Sequence, residues 1–345
     1  MKPETIWTAM NDLDEVLILD AIQPVPSRVI TRRKFAAILL ATALALTLIG
    51  CAYTVLSGAD WFKEFFRNQA EQSLSEGQEH YIEERTEDIA QSVTIDGYTL
   101  TVESAIADQY TAYIKLKLTA PPGEILDAES YLDGIPNYQD PSYQKTLTRA
   151  DGKEYAGGSS MGPQDDGNPT DGSFSILHVF NLFSYTETTF DEEGVWTLHY
   201  QDFCAYYDSG ETKTIMEGPI DFDIVFTKIS NEEVAVVTEP LPYAFKSYRN
   251  NEAYLASEPD ITEGFITSLT LRTMSATMTI EGHTEPAGFL EIPIVMKDGS
   301  RVHMQARSFG TGTYVYSLSA PIVMEEVDHI LLEDGTRLYI PQQVP

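Results

Sequence analysis

Cysteine is nearly missing from this 345-residue chain: Cys51 and Cys204 are the only two. One thiol in each region gives neither a disulfide framework nor a paired-cysteine metal motif. Histidine is sparse as well. The six residues at 80, 178, 199, 283, 303 and 329 lack H-x-H or H-x-x-x-H spacing, which argues against a zinc site. No glycine-rich loop of the phosphate-cradling kind is present. Positive charge is the remaining shortage: 22 Lys and Arg face 53 Asp and Glu, a formal net charge of −31. Nucleic-acid binding draws on cationic side chains that release counterions, so no nucleic-acid partner is expected. The plain reading of the acidity is solubility through mutual repulsion, ahead of a cation or basic-partner role.

What the chain does have is one long apolar run. Residues 35–56, FAAILLATALALTLIGCAYTVL, hold 22 positions without a charge, directly after Arg28, Arg32, Arg33 and Lys34. At about 1.5 Å per helical residue the run is roughly 33 Å long, enough to cross a bilayer's hydrocarbon core. A transmembrane helix is therefore expected over residues 35–57, with the lipid bilayer as a partner. The four basic residues orient it, keeping the N-terminus cytoplasmic and placing the C-terminal part outside. Residues 1–34 balance five acids against five bases, so the entire −31 falls on the remainder. A competing reading is a cleaved lipoprotein signal, because Leu48-Ile49-Gly50-Cys51 resembles a lipobox. Against it, the basic cluster starts late for a signal and apolar residues continue beyond the cysteine.

Residues 1–34 are too few to build a core of their own. Residues 3–22 read as a short amphipathic helix: Pro3 and Glu4 suit a first turn, and Pro24 and Pro26 stop it. Ile6, Met10, Leu13 and Leu17 recur at helical spacing with Trp7 beside them. So short a helix is marginal alone, and this apolar stripe is the expected partner-binding surface. Folding back on the membrane is the alternative, disfavoured by Asp12, Asp14, Glu15 and Asp20.

Beyond the span, a juxtamembrane helical segment is expected over residues 58–91. Phe62, Phe65, Phe66 and Gln69 form a face for docking on the first β domain, and Gly77 marks a break. From residue 92 the period changes to two. Strands are expected at 92–96, 98–106, 111–119, 174–183, 195–203 and 220–228, with a loop-like tract at 123–172. A second set is expected at 265–280, 288–297, 301–308, 329–333 and 336–340. Asp96-Gly97, Lys297-Asp298-Gly299-Ser300 and Asp334-Gly335 are hairpin signals. The fold class is thus mainly β, with two sandwich-like domains at 92–230 and 231–345.

Enzyme motifs fail on context. Gly158-Ser159-Ser160-Met161-Gly162 matches G-x-S-x-G, but Pro163 and a loop sequence stand where a helix is needed. Ser142-Tyr143-Gln144-Lys145 matches S-x-x-K without its companion motifs. His178 and His199 sit mid-strand and read as packed or surface residues. Asp165, Asp166 and Asp171 miss the EF-hand order and read as a solvated loop. Tyr131, Tyr138 and Tyr143 read as packing onto the sheet ahead of facing a ligand. No catalytic residue, metal site or cofactor is expected, and the chain reads as a non-enzyme.

The juxtamembrane YIEERTEDIAQSV, then VTIDGYTLTVESAIADQYTAYIKLKLTAPPG, resembles the domain-of-unknown-function 4179 family of Gram-positive membrane proteins. The acidic MNDLDEVLILDAI and the closing EVDHILLEDGTRLYIP are similar too, so the likeness runs nearly the full chain. Many members are described as anti-sigma factors. The resemblance implies immunoglobulin-like extracellular domains without catalytic residues. It also implies a cytoplasmic sigma factor as the partner of the N-terminal helix, with an extracellular ligand of unknown nature. Zinc-containing anti-sigma domains carry histidine and paired cysteines in their cytoplasmic part. This chain has neither there, which leaves the single helix to hold the partner.

Overall fold

Proline and glycine punctuate a chain that otherwise alternates apolar and polar residues, and strands dominate the result. The computed structural model describes residues 57–124, 131–135, 147–149, 157–164, 172–182, 189–190, 194–206, 212–247, 260–282, 291–310 and 312–341. All lie in the second of two units into which the chain divides, 56–345. Among them no helix is long and apolar enough to cross a membrane. The expected span at 35–57 lies outside the described residues except for its last position, Ser57, which caps the first helix.

Two helices open this unit. α1 (Gly58–Ala70) starts at Ser57, whose hydroxyl accepts from the Asp60 amide, and Arg67 suits its last turn. It ends at Glu71 in the left-handed region, φ 51°. α2 (Glu76–Arg85) starts with a reciprocal capping box between Ser75 and Gln78. The break between helices thus falls at 71–75, and Gly77 sits inside α2. A Cβ there would lie 2.5 Å from the Glu326 carboxylate, so the glycine serves a close approach.

The helical segment expected to reach residue 91 stops at Arg85. Thr86 caps α2, and β1 (Glu87–Ile95) comes next, alternating half-buried and exposed positions. Asp96 and Gly97, φ 52° and 87°, turn β1 into β2 (Tyr98–Ala107). β3 (Thr111–Thr119) continues the meander. The tract expected to be loop holds β4 (Tyr131–Ile135), β5 (Leu147–Arg149) and β6 (Gly157–Gln164). β7 (Ser173–Leu182), β8 (Trp196–Tyr206) and β9 (Thr212–Ile224) complete the first body.

One antiparallel sheet runs β1-β2-β3-β7-β6; a second joins β4, β5 and β9 to β8. Their inner faces share one core, with Leu116, Ile176 and Phe180 from one side and Trp196, Leu198 and Phe222 from the other. Cys204 is buried, and its thiol donates to the Thr214 hydroxyl at 3.7 Å.

The second body is a single sheet of nine strands: β10 (Glu233–Val237), β11 (Leu241–Ser247), β12 (Asp260–Arg272), β13 (Ser275–Glu281), β14 (Glu291–Met296), β15 (Arg301–Gly310), β16 (Thr313–Leu318), β17 (Val327–Leu331) and β18 (Arg337–Tyr339). Bulges between β12 and β13, β14 and β17, and β15 and β16 curl it until β10 and β18 approach without bonding, so it is nearly barrel-like. Its core takes Leu269, Ile294 and Tyr316 from within the curl. Phe62 and Phe66 of α1, Ile82 of α2, and Ile106, Tyr113 and Leu177 of the first body belong to the same cluster.

Candidate functional site

The two helices lie where the bodies meet. On α1, Phe62 and Phe66 are wholly buried, Phe65 is half-buried and Gln69 is exposed. Phe65 and Phe66 lie against Tyr113 of β3, ring centroids 5.9 and 5.3 Å away. The Tyr113 hydroxyl donates to the Leu318 carbonyl of β16 at 3.4 Å, so one tyrosine touches helix, first body and second body. Trp61 stacks on Phe65 and receives the Lys115 ammonium 5.0 Å above its ring. Lys115 is buried but paired with Glu103 at 2.7 Å, which offsets the cost of hiding its charge.

α2 is tied to the second body by polar contacts. Ser75 donates to the Glu326 carboxylate at 2.6 Å, Gln78 to the Pro321 carbonyl at 2.6 Å, and Tyr81 bonds Thr273 at 2.8 Å. Burial pushes the Tyr81 hydroxyl well above the usual tyrosine range.

Next to Tyr81 sits Asp108, in the turn from β2 to β3 and entirely buried. One carboxylate oxygen accepts from the amides of Tyr110 and Thr111 at 2.9 and 2.8 Å. The other accepts from the Met274 amide and Ser275 hydroxyl, across the body boundary, at 3.1 and 2.7 Å. Burial raises this carboxyl above the ordinary range, against the Ser275, Tyr110 and Thr111 donors and the nearby Arg272, which favour its charge. Arg272 stacks on Tyr110, bonds Gln109 at 3.1 Å and pairs with Glu233 at 3.0 Å. The arrangement is a polar pin inside an apolar junction.

Among the described residues one cavity lies at the junction and another in the second body. A cleft of about 190 Å³ lies between α1, β6, β7 and the β15–β16 pair. Phe65, Tyr113 and Leu177 give it an apolar floor; Gln69, Gln164 and Gln305 edge it. A larger cavity of about 560 Å³ fills the seam of the second body, lined by Val234, Val327, Asp328 and Tyr339 with Lys297 and Glu325. Its size is that of an ordinary ligand pocket.

Ser160 lines the small cleft from edge strand β6, paired with Val179, so the strand–turn–helix of a nucleophile elbow is not formed there. No histidine or acid accompanies it among the described lining residues. His178, behind β6, faces the first core and bonds the Tyr200 hydroxyl at 2.8 Å; burial lowers its pKa to about 3. His199 bridges Thr148 and Asp221, each at 2.7 Å. Among the described residues no three metal-ligating side chains gather. Ile6, Trp7, Met10, Leu13, Leu17, Arg28, Arg32, Arg33 and Lys34 lie outside the described residues, as do Ser142, Lys145, Asp165, Asp166, Asp171, Tyr138 and Tyr143.

Asp108, Arg272 and Tyr81 escape a reading by motif. The only local signal is an aspartate two residues before Tyr110 and three before Thr111, which marks an Asx turn but not its partner 166 residues away.

No family model matches the chain, and no curated protein matches it. One similar solved structure, "The crystal structure of the conserved domain protein from Bacillus anthracis", aligns with a TM-score of 0.44 and 9% identity, covering 72% of this chain and 79% of that one.

Proposed function

We propose that the chain is a single-pass membrane signalling regulator of the anti-sigma-factor type. Residues 1–34 hold a cytoplasmic sigma factor through Ile6, Trp7, Met10, Leu13 and Leu17. Residues 35–57 cross the membrane, oriented by Arg28, Arg32, Arg33 and Lys34, and the β bodies receive an extracellular signal. The observation that supports this is the position of α1. It begins directly after the apolar run, and its Phe62 and Phe66 are buried in a core shared by both bodies. A shift between the bodies therefore changes the seat of the element nearest the membrane. An immunoglobulin-like first body belongs to the same proposal, supported by two antiparallel sheets closing on buried Trp196.

The test is capture of the full-length protein from cross-linked cells. A sigma factor should come with it and be lost from Trp7→Ala. Recovery of none, with Trp7→Ala behaving as wild type in cells, overturns the reading. A surface-anchored binding module is the second reading, favoured by Leu48-Ile49-Gly50-Cys51 alone. A mature mass beginning at an acylated Cys51 would establish it.

A further inference from the structure

We propose that the cleft between α1, β6 and β15 binds one ring of a neutral saccharide, which is the extracellular signal of the regulator proposed above. The consequence for signalling rests on that reading; the binding chemistry does not. At about 190 Å³ the cleft falls below the roughly 300–1,000 Å³ of pockets for drug-sized ligands, so it fits a single ring or the end of a chain. None of its lining residues is charged among those described, in a chain whose net charge is −31. A charged ligand would shed hydration there and find no counter-charge.

The lining matches hydroxyl groups instead. Gln69, Gln164 and Gln305 each offer donors and an acceptor, and Ser160 offers both in one atom. A ring crowded with hydroxyls uses both kinds at short spacing. Phe65, Met161 and Val179, all half-buried, supply apolar surface for the C–H side of a pyranose. The walls come from three parts: Phe65 and Gln69 from α1, Ser160 and Gln164 from the first body, Gln305 from the second. A ring held there draws all three together and fixes the setting of α1.

The test is titration calorimetry on the full-length protein in lauryldimethylamine oxide, a detergent without a sugar headgroup. The probes are glucose, N-acetylglucosamine, chitotriose and the dipeptide acetyl-Ala-Ala-amide. At least one sugar should bind, and Gln164→Leu and Gln305→Leu should each weaken it about tenfold. Gly162→Leu should abolish binding while leaving Tm in place, because a Cβ at Gly162 meets nothing within 4 Å and the side chain has open space to fill. The inference is overturned if no sugar binds, if only the dipeptide binds, or if Gly162→Leu titrates like wild type. Since no sigma factor enters the measurement, a failed titration leaves the capture result standing, and a failed capture leaves the titration standing.

Discussion

The carboxylate of Asp108 accepts the Ser275 hydroxyl at 2.7 Å, joining the β2–β3 turn of one body to the first residue of β13 in the other. The Met274 amide donates to the same oxygen, so the contact fixes backbone as well as side chain. Buried donors without an acceptor are costly, and here the bodies supply each other's partners. The junction is thereby specified by polar geometry where apolar packing alone would tolerate sliding.

Replacing Asp108 should loosen the junction more than either core. Asp108→Ala strands up to four donors and should cost about 3 kcal/mol. In urea the variant should unfold in two steps, the bodies separating first. One cooperative transition at the wild-type midpoint would show that the pin contributes nothing.

Stability should fall on mild acidification because of His178. Its folded pKa of about 3 lies below the ordinary 6.5, so the unfolded chain binds the proton more readily. The stabilising contribution is fully present above about pH 6.5 and declines as pH falls toward 3, by up to about 1.4 kcal/mol per unit. In His178→Gln the fall in unfolding free energy between pH 6.5 and 5 should shrink by this amount, leaving the opposite contribution of Asp108, whose carboxyl is raised by burial. A variant that retains the wild-type slope would assign the pH dependence to other groups.

Gly58 should resist substitution although it begins a helix. A Cβ there would stand 2.5 Å from the Ser104 Cβ and 2.7 Å from its hydroxyl. Gly58→Ala should therefore lift the start of α1 from β2, costing about 1–3 kcal/mol. Hydrogen exchange should then speed up in α1 and stay unchanged in the cores. Unaltered protection across residues 58–70 would contradict this close approach.

The turns were plainly written in the sequence. Asp96-Gly97, Asp298-Gly299 and Asp334-Gly335 all place the glycine at φ near 90°, and Asp298 and Asp334 accept from the amides of Ser300 and Thr336. Period-two alternation likewise marked β2, β3 and β15. What local pattern did not reveal was held by pairing elsewhere. β6, GGSSMGPQ, has poor strand propensity and exists as an edge because β7 supplies its bonds. Residues 87–91 look helical by composition, yet they pair with β2 through a bulge at which Ala90 takes φ 54°. In the cleft, Phe65 and Gln69 belonged to a face visible in the sequence. Gln164 and Gln305 join them from strands far along the chain.

The sharing of Phe62, Phe66 and Ile82 between the bodies bears on how this molecule can be cut. An expression boundary placed at Thr86, the natural start of the β-rich portion, would strip away a plug and bare greasy walls on both halves. A soluble fragment has to keep both helices, from Ser57 onward. By the same logic, a protease nicking between Glu71 and Leu74 would leave both halves of the plug seated, held by burial after the chain itself is severed.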